Sequence, residues 1–180
     1  LNFYCRFIVV KFKKTGYTFY TINFWRNTVF TKRDFLLAKH CQKAIWLSKH
    51  SPEIKGSEDP IIQMRYHQKN VVVQHARSLF VQANTVNATN IQRAINETKQ
   101  FINQKEDFVL FGAHFLKDDC LAIIDVLERK DGKYCLYNIK NMSIFKRSYA
   151  KEIAFDTWVL SKFGINIHKC HVIYINPDYT

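Results

Sequence analysis

Three polar side chains interrupt the apolar stretch IIDVLERKDGKYCLYNIKN at 123–141: Asp125, Asn138 and Lys140. An Asp and a second acid can hold a divalent cation, while a neighbouring Lys positions or activates water for attack on an ester. In such a site the second acid would stand at position 138, where this chain has Asn. A carboxamide oxygen can still ligate Mg²⁺, though weakly and without charge. The alternative reading is structural: Asp125 forms a salt bridge with Lys140 near a sheet edge. Buried polar groups cost free energy unless they are paired or used, so either role accounts for the trio.

The trio can act together only if the backbone brings it together. Asp131-Gly132 is a favoured two-residue hairpin turn, because both residue types tolerate positive φ. Centring the hairpin there sets Lys130 opposite Lys133, Asp125 opposite Asn138 and Ile123 opposite Lys140. Opposed side chains share a face of the sheet, as do residues two apart on one strand, so the three should converge on one patch. A bulge would spoil that register.

The elements around the hairpin follow from periodicity. FTKRDFLLAKHCQKAIWLSKH (30–50) reads as a helix, opened by Thr31 and Asp34 at capping-box spacing. SPEIKGSEDP (51–60) is a loop, and IIQMRYHQKNVVVQHARSLF (61–80) a second helix. NATNIQRAINETKQFINQ (87–104) is a third, with Ile91, Ala94, Ile95, Thr98, Phe101 and Ile102 on one stripe. The period then changes. DFVLFGAHFLK, CLAIIDVLE and YCLYNIKN read as strands, and SYAKEIAFDTWVLSKFG as a helix stopped by Gly164. HKCHVIYIN reads as a last, short, buried strand, with Cys170 a buried thiol in it.

A chain of 180 residues is long enough to bury a core, and 47% hydrophobic content argues against disorder. The formal net charge of +12 favours polyanions, nucleic acid ahead of anionic lipid, unless it only reflects a Lys- and Asn-rich composition. Cys5, Cys41, Cys120, Cys135 and Cys170 are dispersed with no C-x-x-C pair. That spacing excludes a zinc signature and points to the reducing cytoplasm. Every apolar run is interrupted by Lys or Arg before it reaches about twenty residues, so no membrane span is expected.

The Asp, then x-Lys arrangement resembles the PD-(D/E)XK nuclease superfamily, most closely its RecB-type exonuclease branch with CRISPR-associated nuclease-like modules. Five segments are similar in the family's order. They are 30–50, where Cys41-Gln42 replaces a usual Cys-Pro; HARSLF (75–80); the run 94–141; YAKEIAFDTWVL (149–160); and HVIYINPDY (171–179). The resemblance implies an α/β (α+β) restriction-endonuclease-like core: a central mixed sheet of about four strands, flanked by helices, with an N-terminal helical region. It covers residues 30–180, leaving 1–29 as a poorly defined N-terminal extension. It also implies a following C-terminal domain, or a partner chain, beyond these residues.

The departures bear on activity. The family's Glu-x-Lys is Asn138-Ile139-Lys140 here, and its helical Gln near the metal falls on Asp156. The glycines and acid of its second helix fall near Lys69, Val71 and Val73, so no upstream carboxylate matches; His67 and His75 lie in that helix. Cys41 matches the early cysteine of relatives that bind an iron–sulfur cluster, but no late trio follows, and such a cluster is not expected. Acid and amide have in effect traded places between 138 and 156. The site residues implied are thus Asp125, Asn138, Lys140 and Asp156, with Asp125 and Asp156 the ligands for a weakly held Mg²⁺ or Mn²⁺. The favoured expectation is a nucleic-acid-binding domain, for DNA more than RNA, with an impaired metal site. The alternatives are an active Mg²⁺-dependent DNA nuclease using Asp125, Asp156 and Lys140, and a truncated remnant without independent activity.

Overall fold

The computed structural model describes residues 6–13, 16–23, 29–51, 53, 60–87, 89–176 and 178, with side chains from 29 onward except at 60–63 and 65–67. Among them the elements run β1 (Arg6–Lys13), β2 (Gly16–Asn23), β3 (Phe30–Thr31), α1 (Lys32–His40), α2 (Gln42–His50), α3 (Pro60–Arg77) and β4 (Asn84–Thr85). Then come α4 (Ile91–Asn103), β5 (Phe108–Lys117), β6 (Cys120–Lys130), β7 (Lys133–Ile139), α5 (Ser148–Ser161) and β8 (Ile167–Ile173). The extension thus contains an antiparallel hairpin, β1–β2, paired from Arg6↔Asn23 to Lys13↔Gly16. His67, Cys5 and the last two residues carry readings that lie outside the described side chains.

Strands β3 to β8 form one mixed sheet in the order β4-β5-β6-β7-β8, with β3 alongside β6. The central three are an antiparallel meander, while β3, β4 and β8 join in parallel. Six strands stand where about four were expected; the two additions, β3 and β4, are each two residues long. Both meander turns take positive φ at both residues, Asp118 and Asp119 in one, Asp131 and Gly132 in the other. That geometry matches the twist of the flanking strands, and Asp and Gly tolerate it best.

Helices cover both faces. On one, Phe35 of α1 and Phe155, Val159 and Leu160 of α5 pack on Leu110, Ala113, Ile124, Leu127 and Leu136, with Phe101 and Ile102 of α4 beside them. On the other, Val72, Val73 and Ala76 of α3, with Phe80, cover Phe111, Val126 and Ile139. Each large side chain so buried contributes about 1.5–3 kcal/mol. Thr98 ties α4 down: its buried hydroxyl donates to Ala94 O and accepts from His114 N–H at 2.9 Å.

Two expectations need correction. The opening helix is two helices, because Cys41 is extended (φ −156°, ψ 113°) and ends α1 where α2 begins. The last strand is not buried. β8 is an edge strand, and Cys170 is exposed, because among the described residues no further strand pairs with its outer side.

Candidate functional site

The site begins with a slip in strand phase. Leu110 and Leu127 face the α1/α5 side, Phe111 and Val126 the α3 side, and Ala113 and Ile124 the α1/α5 side again. Strict alternation would send Ala113 and Ile124 to the opposite face. The register of β5 on β6 is the same on either side, Phe111↔Val126 and Ala113↔Ile124, while the Gly112–Asp125 rung between them is skipped, so both strands slip together at Gly112 and Asp125. Gly112 makes this possible with φ +67°, a conformation that side chains other than Gly rarely adopt. Asp125 therefore lies between the two faces.

The β6–β7 register runs as the Asp-Gly turn dictates, from Lys130↔Lys133 to Val126↔Tyr137, and then the ladder ends. At the next rung Asp125 Oδ2 accepts the Ile139 N–H at 2.9 Å, so a carboxylate replaces a backbone acceptor. Lys140 consequently does not sit opposite Ile123. Its N–H donates to Ile173 O of β8 at 2.8 Å, and its Nζ donates to Glu152 Oε2 at 2.5 Å. Asp125 instead has Lys69 Nζ of α3 at 3.5 Å from Oδ1. The Asp125–Lys140 salt bridge is absent among the described residues.

Asp156 comes to the same place from α5, one turn after Glu152. The aromatic packing of α1 on α5 sets its partner: Phe35 stacks on Phe155 at 5.5 Å between centroids, with Lys32 one turn before Phe35. Lys32 Nζ is 2.6 Å from Asp156 Oδ2. The position of Lys32 is held by the start of its helix. Thr31 and Asp34 form a capping box, and Asp34 Oδ2 also accepts from Lys49 of α2 at 2.8 Å.

The electrostatics are those of a tight, mostly buried cluster. Burial pushes the Asp156 carboxyl up to about 6; Lys32 opposes this, and Asp125 and Glu152 add to it. For Lys32, burial works to lower the ammonium pKa, but attraction by Asp156, Asp125 and Glu152 outweighs it and the net shift is upward. Asn138 and Asp156 are each 1% exposed, and among the described residues Asn138 Oδ1 and Asp156 Oδ1 have no hydrogen-bond partner. Tyr149, buried beneath Lys140 Nζ (4.9 Å from the ring centroid), has its phenol pKa raised by burial and by Glu152.

Lys140 is joined to this cluster through Glu152, and Asp125 and Asp156 act on one another's surroundings; Asn138 lies one residue beyond the last β6–β7 rung and pairs with Val172 of β8. Lys32 and Glu152 were not anticipated. Glu152 could have been found from Asp156, since i and i+4 share a helix face; Lys32 carries no such signal, because its pairing needs the α1–α5 packing. Lys69 brings a positive charge to Asp125 from α3.

A divalent cation does not fit these residues as they stand. Asp156 Oδ2 is held by Lys32, Asp125 by Lys69 and the Ile139 N–H, and Glu152 by Lys140. Among the described residues no three His, Cys, Asp or Glu side chains gather in a metal-holding group. His75 is exposed at the end of α3, and Cys41 is an exposed free thiol.

No family model matches the chain, and no curated protein matches it. Among the described residues no helix is long and apolar enough to cross a membrane.

Proposed function

We propose that this is a nucleic-acid-binding domain on a PD-(D/E)XK nuclease-like core, whose metal site is impaired and which holds the phosphate backbone without efficient cutting. The reading rests on where the charge lies. Within the site, Lys32, Lys69 and Lys140 cancel Asp156, Asp125 and Glu152. The whole excess of 27 basic over 15 acidic residues, +12, therefore lies outside it. Phosphate binding needs only positive charge and backbone donors, whereas metal-assisted cleavage needs free carboxylate oxygens.

The meander followed by a crossover helix and a parallel strand agrees with the family's expected order. So does the break at Cys41, since Gln42 is the first residue of α2, the position where the family's Pro is tolerated. The segment after β7 gives the surface its chemistry. Ile144 (68% exposed) and Phe145 (53% exposed) project beside exposed Lys146 and Arg147, and neither cation pairs with an acid among the described residues. Phe145 meets Tyr149 edge-on at 5.8 Å, which anchors the segment next to Lys140. Apolar and aromatic groups interleaved with cations suit bases and phosphates together.

The test is fluorescence-anisotropy titration of single- and double-stranded DNA oligonucleotides over a salt series. Affinity should fall steeply as salt rises, with a slope of about −0.7 to −0.9 per phosphate neutralised. Binding that is absent, or indifferent to salt, sinks the reading.

A further inference from the structure

Among the described residues two buried oxygens meet no donor: Asp156 Oδ1 in the site, and Asn138 Oδ1 near the end of β7. Leaving such a group unmet costs about 1–3 kcal/mol, so something must offset it. Among the described residues, the cation that reaches Asp156 is the Lys32 ammonium. Lys32 Nζ lies 2.6 Å from Asp156 Oδ2 and is attracted as well by Asp125 and Glu152, on two other elements. Its side chain is only 20% exposed, so water screens it little. It is tethered by a capped helix start and by the Phe35–Phe155 stack, and need not be recruited from solution.

We propose that Lys32 Nζ is the resident cation of this site and excludes a divalent ion from it. Asp125 and Asp156 supply oxygens of the hard kind that Mg²⁺ and Mn²⁺ select, but one tethered positive charge already takes their field. A divalent ion would need to displace the ammonium while Lys69 and Lys140 already pair with the neighbouring carboxylates Asp125 and Glu152, where further like charge repels. The inference concerns the cation alone and stands whether or not the protein binds nucleic acid.

The experiment is Mn²⁺ titration of the full chain, followed by calorimetry and by the electron paramagnetic resonance of free Mn²⁺. Three proteins are compared: wild type, Lys32→Ala and the double variant Lys32→Ala/Asp156→Asn. Wild type should bind Mn²⁺ at least about tenfold more weakly than Lys32→Ala, and the double variant should lose the gain. Wild type binding as tightly as Lys32→Ala overturns the proposal, and so does a folded Lys32→Ala that shows no gain. If Lys32→Ala is unfolded without metal, the titration is read by circular dichroism instead. Recovery of the fold with Mn²⁺ supports the proposal, because an ion that binds only the native state stabilises it by mass action. No recovery at about 10 mM Mn²⁺ overturns it.

Discussion

Replacing Lys32 with Met keeps most of the side chain's volume and removes its charge, leaving Asp156 buried and unpaired. At 2.6 Å and an effective dielectric of about 20, the Lys32–Asp156 attraction is about 6 kcal/mol before desolvation is subtracted. Breaking a buried pair from one side costs about 3–5 kcal/mol, and the partial exposure of Lys32 places this one near 3 kcal/mol. The loss should depend on pH. Asp156 has a folded pKa raised from 3.8 to about 6, so its contribution to stability is complete below the unfolded value and is lost as pH rises through the folded one. The groups that set this are Lys32 on α1, Asp125 on β6 and Glu152 on α5 itself. Without Lys32 the folded value rises further, and the carboxyl stays neutral where the wild type ionises. The upward shift of Lys32 itself contributes in full below its ordinary 10.5 and is lost only as pH rises above it, so it adds no pH dependence in this window. Urea denaturation at pH 8 should therefore show Lys32→Met less stable by about 3 kcal/mol, and at pH 5 by less than about 1 kcal/mol. An equal deficit at both pH values would mean that Asp156 does not carry the loss, and the electrostatic account would fall.

Three further outcomes are expected. The double variant Lys146→Glu/Arg147→Glu should weaken DNA binding by about tenfold or more at low salt while leaving the melting temperature within about 2 °C, since both side chains are exposed; unchanged affinity would move the binding face elsewhere. Gly112→Ala should cost about 1–3 kcal/mol in chemical denaturation. A Cβ there comes no closer than 3.9 Å to Val86 O, so the penalty is that of φ +67° alone, and a neutral result would argue against the strand slip. Phe35→Ala should cost about 3–5 kcal/mol through the cavity left against Phe155. It should also reduce the difference in stability between pH 5 and pH 8 that separates Lys32→Met from the parent, because the stack is what sets α1 on α5.

The element order was legible from the amino acids because its determinants are local. An Asp-Gly dipeptide between alternating runs specifies a turn, and that turn specifies the register from Lys130↔Lys133 to Val126↔Tyr137. Thr31 and Asp34, three residues apart, mark a helix start for the same reason. The excess of basic residues is a property of composition and needs no fold at all.

Local rules gave out where the chain departs from its own period or where partners are remote. Nothing near Cys41 signals a helix break, since neither Pro nor Gly is present. The slip at Gly112 and Asp125 depends on two strands changing phase at one rung, and a single strand's alternation cannot reveal it. The pairing of Lys32 with Asp156 joins residues 124 apart in sequence through aromatic packing of one helix on another. Which lysine meets which carboxylate was therefore decided by tertiary structure alone. Coulomb attraction acts over a few ångströms of space, and only the folded sheet and its two helix layers determine which charges come within that distance.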